Sequence, residues 1–122
     1  ADFAPLADAF ERADATDDVA AYAARVAELD AAVEAAVAND FLSRALQPVR
    51  AHLGRVRRLA HDRPDRLRAS AREHALIARA IADGDAELAA HATHVHLHHA
   101  LQHVERALDA AGTDHPSTER TR

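Results

Sequence analysis

The sequence contains no cysteine, and this absence excludes disulfide bonds, thiolate metal sites and cysteine nucleophiles. It also contains no methionine, even at position 1, so we expect the chain to be a processed product or a fragment of a longer protein. No apolar run reaches the roughly 18 residues that a bilayer span needs. The amino-terminal stretch lacks the basic and apolar regions of a secretory signal. We therefore expect a cytoplasmic protein without a membrane partner.

Aromatic residues, glycine and proline are scarce, and the residues that replace them indicate the fold class. Only 3% of the residues are aromatic although 48% are hydrophobic, because most apolar residues are alanine, leucine and valine. Alanine and leucine favour helices, and 3 glycines and 4 prolines leave few breaks in 122 residues. We predict one all-α domain, an antiparallel bundle of about five to six helices over residues 1–111, followed by a polar, disordered tail over residues 112–122.

The charge of the chain argues against one class of partner. Lysine is absent, every basic side chain is an arginine, and the formal net charge is −5 when the 10 histidines are neutral. A negative domain is not expected to be attracted generally to nucleic-acid phosphates. The histidines make the charge sensitive to pH near their ordinary pKa.

Apolar residues recur at helical spacing in the first half of the chain. We predict a short helix over residues 2–12 and a second helix that begins after Thr16 as its N-cap and stops near Asn39. A third helical stretch covers residues 41–59. Pro48 lies inside it and predicts either a kink or a break.

The second half contains start and stop signals for two more helices. Residues 61–65, with the sequence His-Asp-Arg-Pro-Asp, are predicted to form a loop. Ser70 and Glu73 have the spacing of a capping box and predict a helix start there. Asp85 is predicted to cap the last helix, over residues 86–110.

Four side chains that can bind a metal are predicted to face the interior of the bundle: Asp30, Glu34, His74 and His96. Around its helix, Asp30 lies about 20° from the apolar stripe, and Glu34 about 40° on the other side. Two carboxylates one turn apart repel each other unless a cation lies between them. Together with two imidazoles they suit Zn²⁺, Ni²⁺, Mn²⁺ or Fe²⁺ and roughly neutralise a divalent charge.

Each of these residues also has a plain structural interpretation. The two acids can lie at the solvent edge of their helix, and a single inward histidine is more often a satisfied core residue than a ligand. Arg50 lies within about 60° of apolar neighbours, so its guanidinium either reaches into the bundle or extends along its surface.

The last predicted helix carries two strips of histidine. His91, His94 and His98 form one strip, which we interpret as a solvated face. His96, His99 and His103 form the other strip, which shares a face with small alanines. We expect the first strip to face solvent because a leucine-rich stripe on the same helix is expected to be buried. That stripe comprises Leu97, Leu101, Val104 and Leu108.

Three functions remain open on the residues alone. The chain could be a sensor domain that binds a ligand through a metal, a small metal-dependent helical-bundle enzyme, or a plain helical interaction module. Gly-rich phosphate loops, Ser–His–Asp signatures and HExxH are all missing, which weakens the enzymatic interpretation. A separation of more than about 10 Å between His74 and His96 would favour the interaction module, because metal ligands lie about 2 Å from a shared ion.

The segment from Ser70 to Leu97 resembles the FCD domain, the C-terminal effector-binding domain of FadR-like regulators in the GntR superfamily. The first half resembles the family as well, since E-L-D-A-A-V-E-A-A-V-A-N supplies Asp30, Val33, Glu34 and Asn39 in the register of its D-x-x-F-H pattern and later Asn. The resemblance covers roughly residues 3–110. The paired motifs that carry it are Glu73-His74, Ala80-Ile81, Gly84-Asp85 and His96-Leu97, together with Asp30, Val33, Glu34 and Asn39.

The resemblance implies an all-helical bundle that is not an enzyme and that holds a divalent metal through Asp30, Glu34, His74 and His96. A small organic acid would bind beside the metal, with Arg50 and His99 as candidate contacts. We expect a homodimer, and DNA as a partner only through a winged-helix domain that is absent from this chain. In one departure, Glu34 stands where the family usually has histidine, which lowers the charge of the site and favours harder metals.

Overall fold

The computed structural model describes residues 2–13, 18–60 and 63–112, without the side chains of residues 57–60. Within these ranges the chain forms five helices and no strand, which confirms the predicted all-α bundle. None of the described helices is both long and apolar enough to cross a bilayer. The helices are α1 (Phe3–Glu11), α2 (Val19–Val37), α3 (Asp40–Ala60), α4 (Pro64–Ala82) and α5 (Ala86–Gly112).

Short polar side chains begin four of the five described helices, as their hydrogen-bonding chemistry predicts; the exception is α4. Asp2 accepts a hydrogen bond from a backbone N–H in the first turn of α1, and Asp18 does the same for α2. Thr16, the predicted cap of α2, lies outside the described residues. Asn39 accepts from the Leu42 N–H at the start of α3, and Asp85 caps α5 as predicted.

Two local predictions about the start of α4 are wrong. The helix that contains Ser70 and Glu73 does not begin at a capping box; α4 begins at Pro64, whose fixed φ suits a first turn, so Asp65 is helical rather than in a loop. Ser70 is instead buried inside the bundle. α3 runs through Pro48 without the break that was one of the two predicted outcomes.

The core forms where α4 packs against α1 and α2, and α5 covers another side of α4. Small alanines on α1 and α4 allow close approach of the two helices, and larger side chains fill the remaining space. The buried core residues are Phe3, Ala7, Phe10, Tyr22, Val26, Leu29, Leu67, Ala71, Ala75 and Ala78.

The leucine stripe of α5 is not buried, contrary to prediction. Leu97, Leu101 and Leu108 are 57–62% exposed, although Val104 is half-buried. The reason is rotational: Leu97 is turned by about 100° from His96, and His96 is on the buried face of α5. His91, His94 and His98 are exposed, as predicted for a solvated face.

Candidate functional site

His74, in the middle of α4, is buried at the centre of a polar group within the core. Its Nδ1 lies 2.9 Å from the Ser70 carbonyl oxygen and 2.8 Å from the Tyr22 hydroxyl. The Tyr22 and Ser70 hydroxyls are themselves 2.7 Å apart. A carbonyl oxygen only accepts, so the bond to Ser70 places a proton on Nδ1 of His74.

Two aromatic rings enclose the His74 imidazole from different helices. Phe10 of α1 stacks on it with the ring centroids 5.2 Å apart. His96 of α5 lies against it with a centroid separation of 4.2 Å and an interplanar angle of 58°. The structure therefore brings the two predicted histidines into contact. Their separation is well below the value of about 10 Å above which the plain interaction module would be favoured.

Glu73 holds His96 in place. Its Oε2 lies 2.8 Å from Nδ1 of His96, and its Oε1 lies 3.1 Å from Nδ1 of His99 and 3.2 Å from the Arg66 guanidinium. A carboxylate oxygen accepts, so Nδ1 of His96 carries a proton as well. Burial alone raises the pKa of the Glu73 carboxyl, but the bonds from His96 and His99 and the Arg66 charge outweigh it, and the pKa lies below its ordinary value.

Both buried imidazoles therefore carry a proton on Nδ1. Metal-binding histidines usually donate one ring N–H to a carbonyl or a carboxylate and bind the ion through the other nitrogen. His74 donates to the Ser70 carbonyl, and His96 donates to Glu73. This arrangement makes Nε2 the nitrogen through which each would bind a metal.

The two acids of α2 are placed differently. Glu34 forms an ion pair with Arg50 of α3, with Oε2 and the guanidinium nitrogen 2.6 Å apart. Its other oxygen, Oε1, is buried and has no hydrogen-bond partner among the described residues. Asp30, one turn earlier, is half-buried. Arg50 is half-buried too, so its guanidinium reaches into the bundle as far as Glu34.

The donor chemistry of the site fits a divalent cation, but the side chains are not assembled as a complete cage. In the part of the chain that the structure describes, no three His, Asp or Glu side chains lie close enough together to hold a metal ion. The two imidazoles meet, while Glu34 is engaged with Arg50. The buried Glu34 Oε1 supports the fit, because such an oxygen is costly to leave without a partner.

Sequence reasoning identified the two histidines but not the residues that orient them. Tyr22 was not predicted to take part in the site, and Ser70 and Glu73 were assigned to a helix cap. One signal was available, since Ser70 and His74 are four residues apart and must share a helix face. The contacts to Tyr22 and from Glu73 to His96 join different helices and depend on how those helices pack.

Comparison with known proteins assigns the fold to a family. Neither the curated proteins nor the solved structures give a significant match to the chain. The model of the FCD domain matches residues 1–99, a range that includes Asp30, Glu34, His74 and His96. This chain therefore belongs to the FCD domain family, the C-terminal effector-binding domains of FadR-like GntR regulators.

Proposed function

We propose that this domain senses a small organic acid with the help of a divalent metal, and that it does so as the regulatory part of a cytoplasmic transcription regulator. DNA binding would belong to a winged-helix domain elsewhere in the protein, and the sensor itself would catalyse no reaction. The observation that carries the proposal is the contact between the two buried imidazoles, 4.2 Å apart at their centroids, each with Nδ1 donating to an acceptor.

His74 and His96 would supply the nitrogen ligands, and Asp30 and Glu34 the oxygen ligands. Glu34 can offer Oε1 while Oε2 keeps its ion pair with Arg50. Because no complete cage stands ready in the described residues, metal binding would draw the α2 carboxylates toward the histidines. Two neutral imidazoles and two carboxylates suit Zn²⁺, Ni²⁺, Mn²⁺ or Fe²⁺.

The organic acid would bind where a cation and a guanidinium converge. When bound, the metal supplies a Lewis-acidic centre that attracts a carboxylate. Arg50 is already positioned by an acid of the site, and a guanidinium can bind a second carboxylate through its planar fork. His99, which donates to Glu73, is the second candidate contact for the effector.

The proposal is tested by titrating chelator-treated protein with each of the four metals and measuring heat and bound metal. We expect one tight metal per chain in the wild type and its loss in His74→Ala and in His96→Gln. The matched control is His91→Ala, which removes an exposed histidine of α5 and should leave binding unchanged. Circular dichroism verifies that each variant is folded. Equal binding by all four proteins would contradict the site.

A further variant tests whether the Tyr22 hydroxyl helps to orient His74 for metal binding. Tyr22→Phe keeps the ring in the core but removes the hydroxyl that lies 2.8 Å from Nδ1 of His74. Loss of such a partner typically lowers metal affinity by about 10-fold or more. An unchanged affinity would show that Tyr22 only packs. Small di- and tricarboxylic acids, titrated with and without metal, then test the effector class.

A further inference from the structure

The ion pair between Glu34 and Arg50 leaves the Glu34 carboxylate only partly satisfied. Its Oε2 lies 2.6 Å from one guanidinium nitrogen of Arg50. Its Oε1 is buried and has no hydrogen-bond partner among the described residues. A carboxylate that meets a guanidinium through both oxygens gains two parallel bonds, whereas a buried oxygen without a donor costs free energy. The pair is therefore weaker than a two-pronged pair of the same side chains would be.

Packing does not fix Arg50 in this position. It lies on α3, in which none of the described side chains is buried, and about 30% of its own side chain is exposed. The main contact of α3 with the bundle is with α5, whereas Glu34 belongs to α2. The charge of Glu34 therefore directs the guanidinium toward the site, and another carboxylate could replace Glu34 there without disturbing the core.

An organic acid would present to Arg50 the same chemical group that Glu34 presents. The end of a glutamate side chain is a carboxylate on a methylene carbon, which is chemically an acetate. A guanidinium carries a single positive charge, so two carboxylates compete for it. Asp30, one turn before Glu34, adds a second acid that disfavours the approach of an anion. Without a metal, the side chains of the site thus oppose binding of the acid.

We propose that Glu34 is an internal competitor of the effector for Arg50, and that a bound divalent metal relieves the competition. The inference rests on the proposed function, in which Arg50 contacts the acid and Glu34 ligates the metal. Glu34 would share its charge between a cation at Oε1 and the guanidinium at Oε2, so its attraction for Arg50 would decrease. Metal and acid then bind cooperatively, and each raises the affinity for the other by the same factor.

The charge at position 34 is what makes this site depend on the metal in this way. A histidine, which the family usually has at this position, would not compete, because a neutral imidazole carries no negative charge. Removal of the charge from Glu34 should therefore convert binding of the acid at Arg50 from metal-dependent to metal-independent. The expectation is unusual, since loss of a metal ligand would increase binding of the acid in the absence of metal.

An NMR titration of the chelator-treated chain with acetate tests the competition. The readout is the Nε–Hε resonance of Arg50, which Arg50→Gln identifies by its loss. Without metal, Glu34→Gln and Glu34→Ala should bind acetate at least about 10-fold more tightly than the wild type, the usual effect of one charged partner. The matched control is Glu28→Gln, which removes an exposed acid of the same helix and should bind like the wild type. Ionic strength is held constant with sodium chloride.

A second titration, with Zn²⁺ present, tests the relief of the competition. Zn²⁺ should raise the acetate affinity of the wild type by about 10-fold or more. It should raise that of Glu34→Gln by less, because the competitor is already absent. Glu34→Gln combined with Arg50→Gln should bind acetate no more tightly than the metal-free wild type, because the gained binding requires the guanidinium. Circular dichroism verifies that each variant is folded.

Two results would overturn the inference. One is a metal-free Glu34→Gln variant that binds acetate no better than the wild type. The other is an equal gain in Glu28→Gln, which would show an effect of net charge alone. Metal binding separates this inference from the proposed function. A wild type that binds Zn²⁺ while Glu34→Gln gains no acetate binding excludes only the competition. A wild type that binds no metal contradicts the proposed function, and the metal-free titration still decides whether Glu34 competes for Arg50.

Discussion

At the scale of single residues, Glu73 connects the site to the solvent side of α4 and α5. It accepts from His96 and His99 and pairs with Arg66, and these contacts hold the pKa of its carboxyl below the ordinary value. A carboxyl whose pKa is lowered by folding stabilises the folded state above its unfolded pKa. That contribution disappears as the pH falls through the folded pKa.

We expect Glu73→Gln to lower the free energy of unfolding by about 1 kcal/mol at neutral pH, because the ion pair and one charged hydrogen bond are lost from a partly exposed group. The difference from wild type should shrink toward zero as the pH falls through the folded pKa of Glu73. Urea unfolding at neutral pH and across a series of acidic pH values measures this. Glu28→Gln, on the exposed side of α2, is the control. A difference that grows in acid would contradict the assignment.

The residues of the site were predictable to different degrees. His74 lies on a helix whose apolar period indicates the inward direction, so the angle around that helix was sufficient. For His96 the leucine stripe of α5 indicated the wrong face, and the small alanines beside it were the useful signal. Partners on other helices were not predictable in this way. Tyr22 meets His74 only because α2 packs beside α4 at that height, and Glu34 pairs with Arg50 because α3 follows α2.

At the scale of elements, the end of α2 contains a strained residue. Ala38 is its C-cap and has φ 51° and ψ 41°, the left-handed region. Side chains with a Cβ are disfavoured there, and glycine is the residue that most helices use at such a position.

We therefore expect Ala38→Gly to raise the free energy of unfolding by about 0.5–1 kcal/mol, because relief of the Cβ strain outweighs the added freedom of the unfolded chain. Thermal and urea unfolding measure the change. Ala35→Gly is the matched control: it lies inside α2, is exposed, and should destabilise by about 1 kcal/mol. If both substitutions destabilise, the left-handed cap does not persist in solution.

The sequence predicted where helices form more reliably than which faces of those helices are exposed. The five apolar segments and the end of α2 near Asn39 are as predicted. The start of α4 was predicted at Ser70, but the helix begins six residues earlier, at Pro64. The α5 leucines were predicted to be buried because they form an apolar face. An apolar period does not show which element covers that face, and α4 packs instead on the face that contains Ala92 and His96.

At the scale of the whole molecule, the candidate site is part of the hydrophobic core. His74 contacts Phe10 and Tyr22, which are among the most buried side chains of the core. An ion bound there should stabilise the fold globally, since unfolding would have to release it.

With metal at 100 times its dissociation constant, binding adds about 2.7 kcal/mol to the free energy of unfolding. In a domain of this size, that corresponds to a rise in Tm of about 10 °C. Differential scanning calorimetry with and without metal measures the rise. His91→Ala should retain it and His96→Gln should lose it. An unchanged Tm in the wild type would contradict a metal site in the core.

The placement of Tyr22 also gives the molecule an intrinsic optical label. The chain has a single tyrosine and no tryptophan, and the hydroxyl of this tyrosine lies 2.8 Å from the His74 imidazole. Apart from the weak absorbance of the three phenylalanines, the near-ultraviolet absorbance and emission of this chain therefore arise from one phenol at the candidate site. A change at His74 is expected to alter that spectrum directly, so occupancy can be followed without a dye, a tag or an introduced fluorophore.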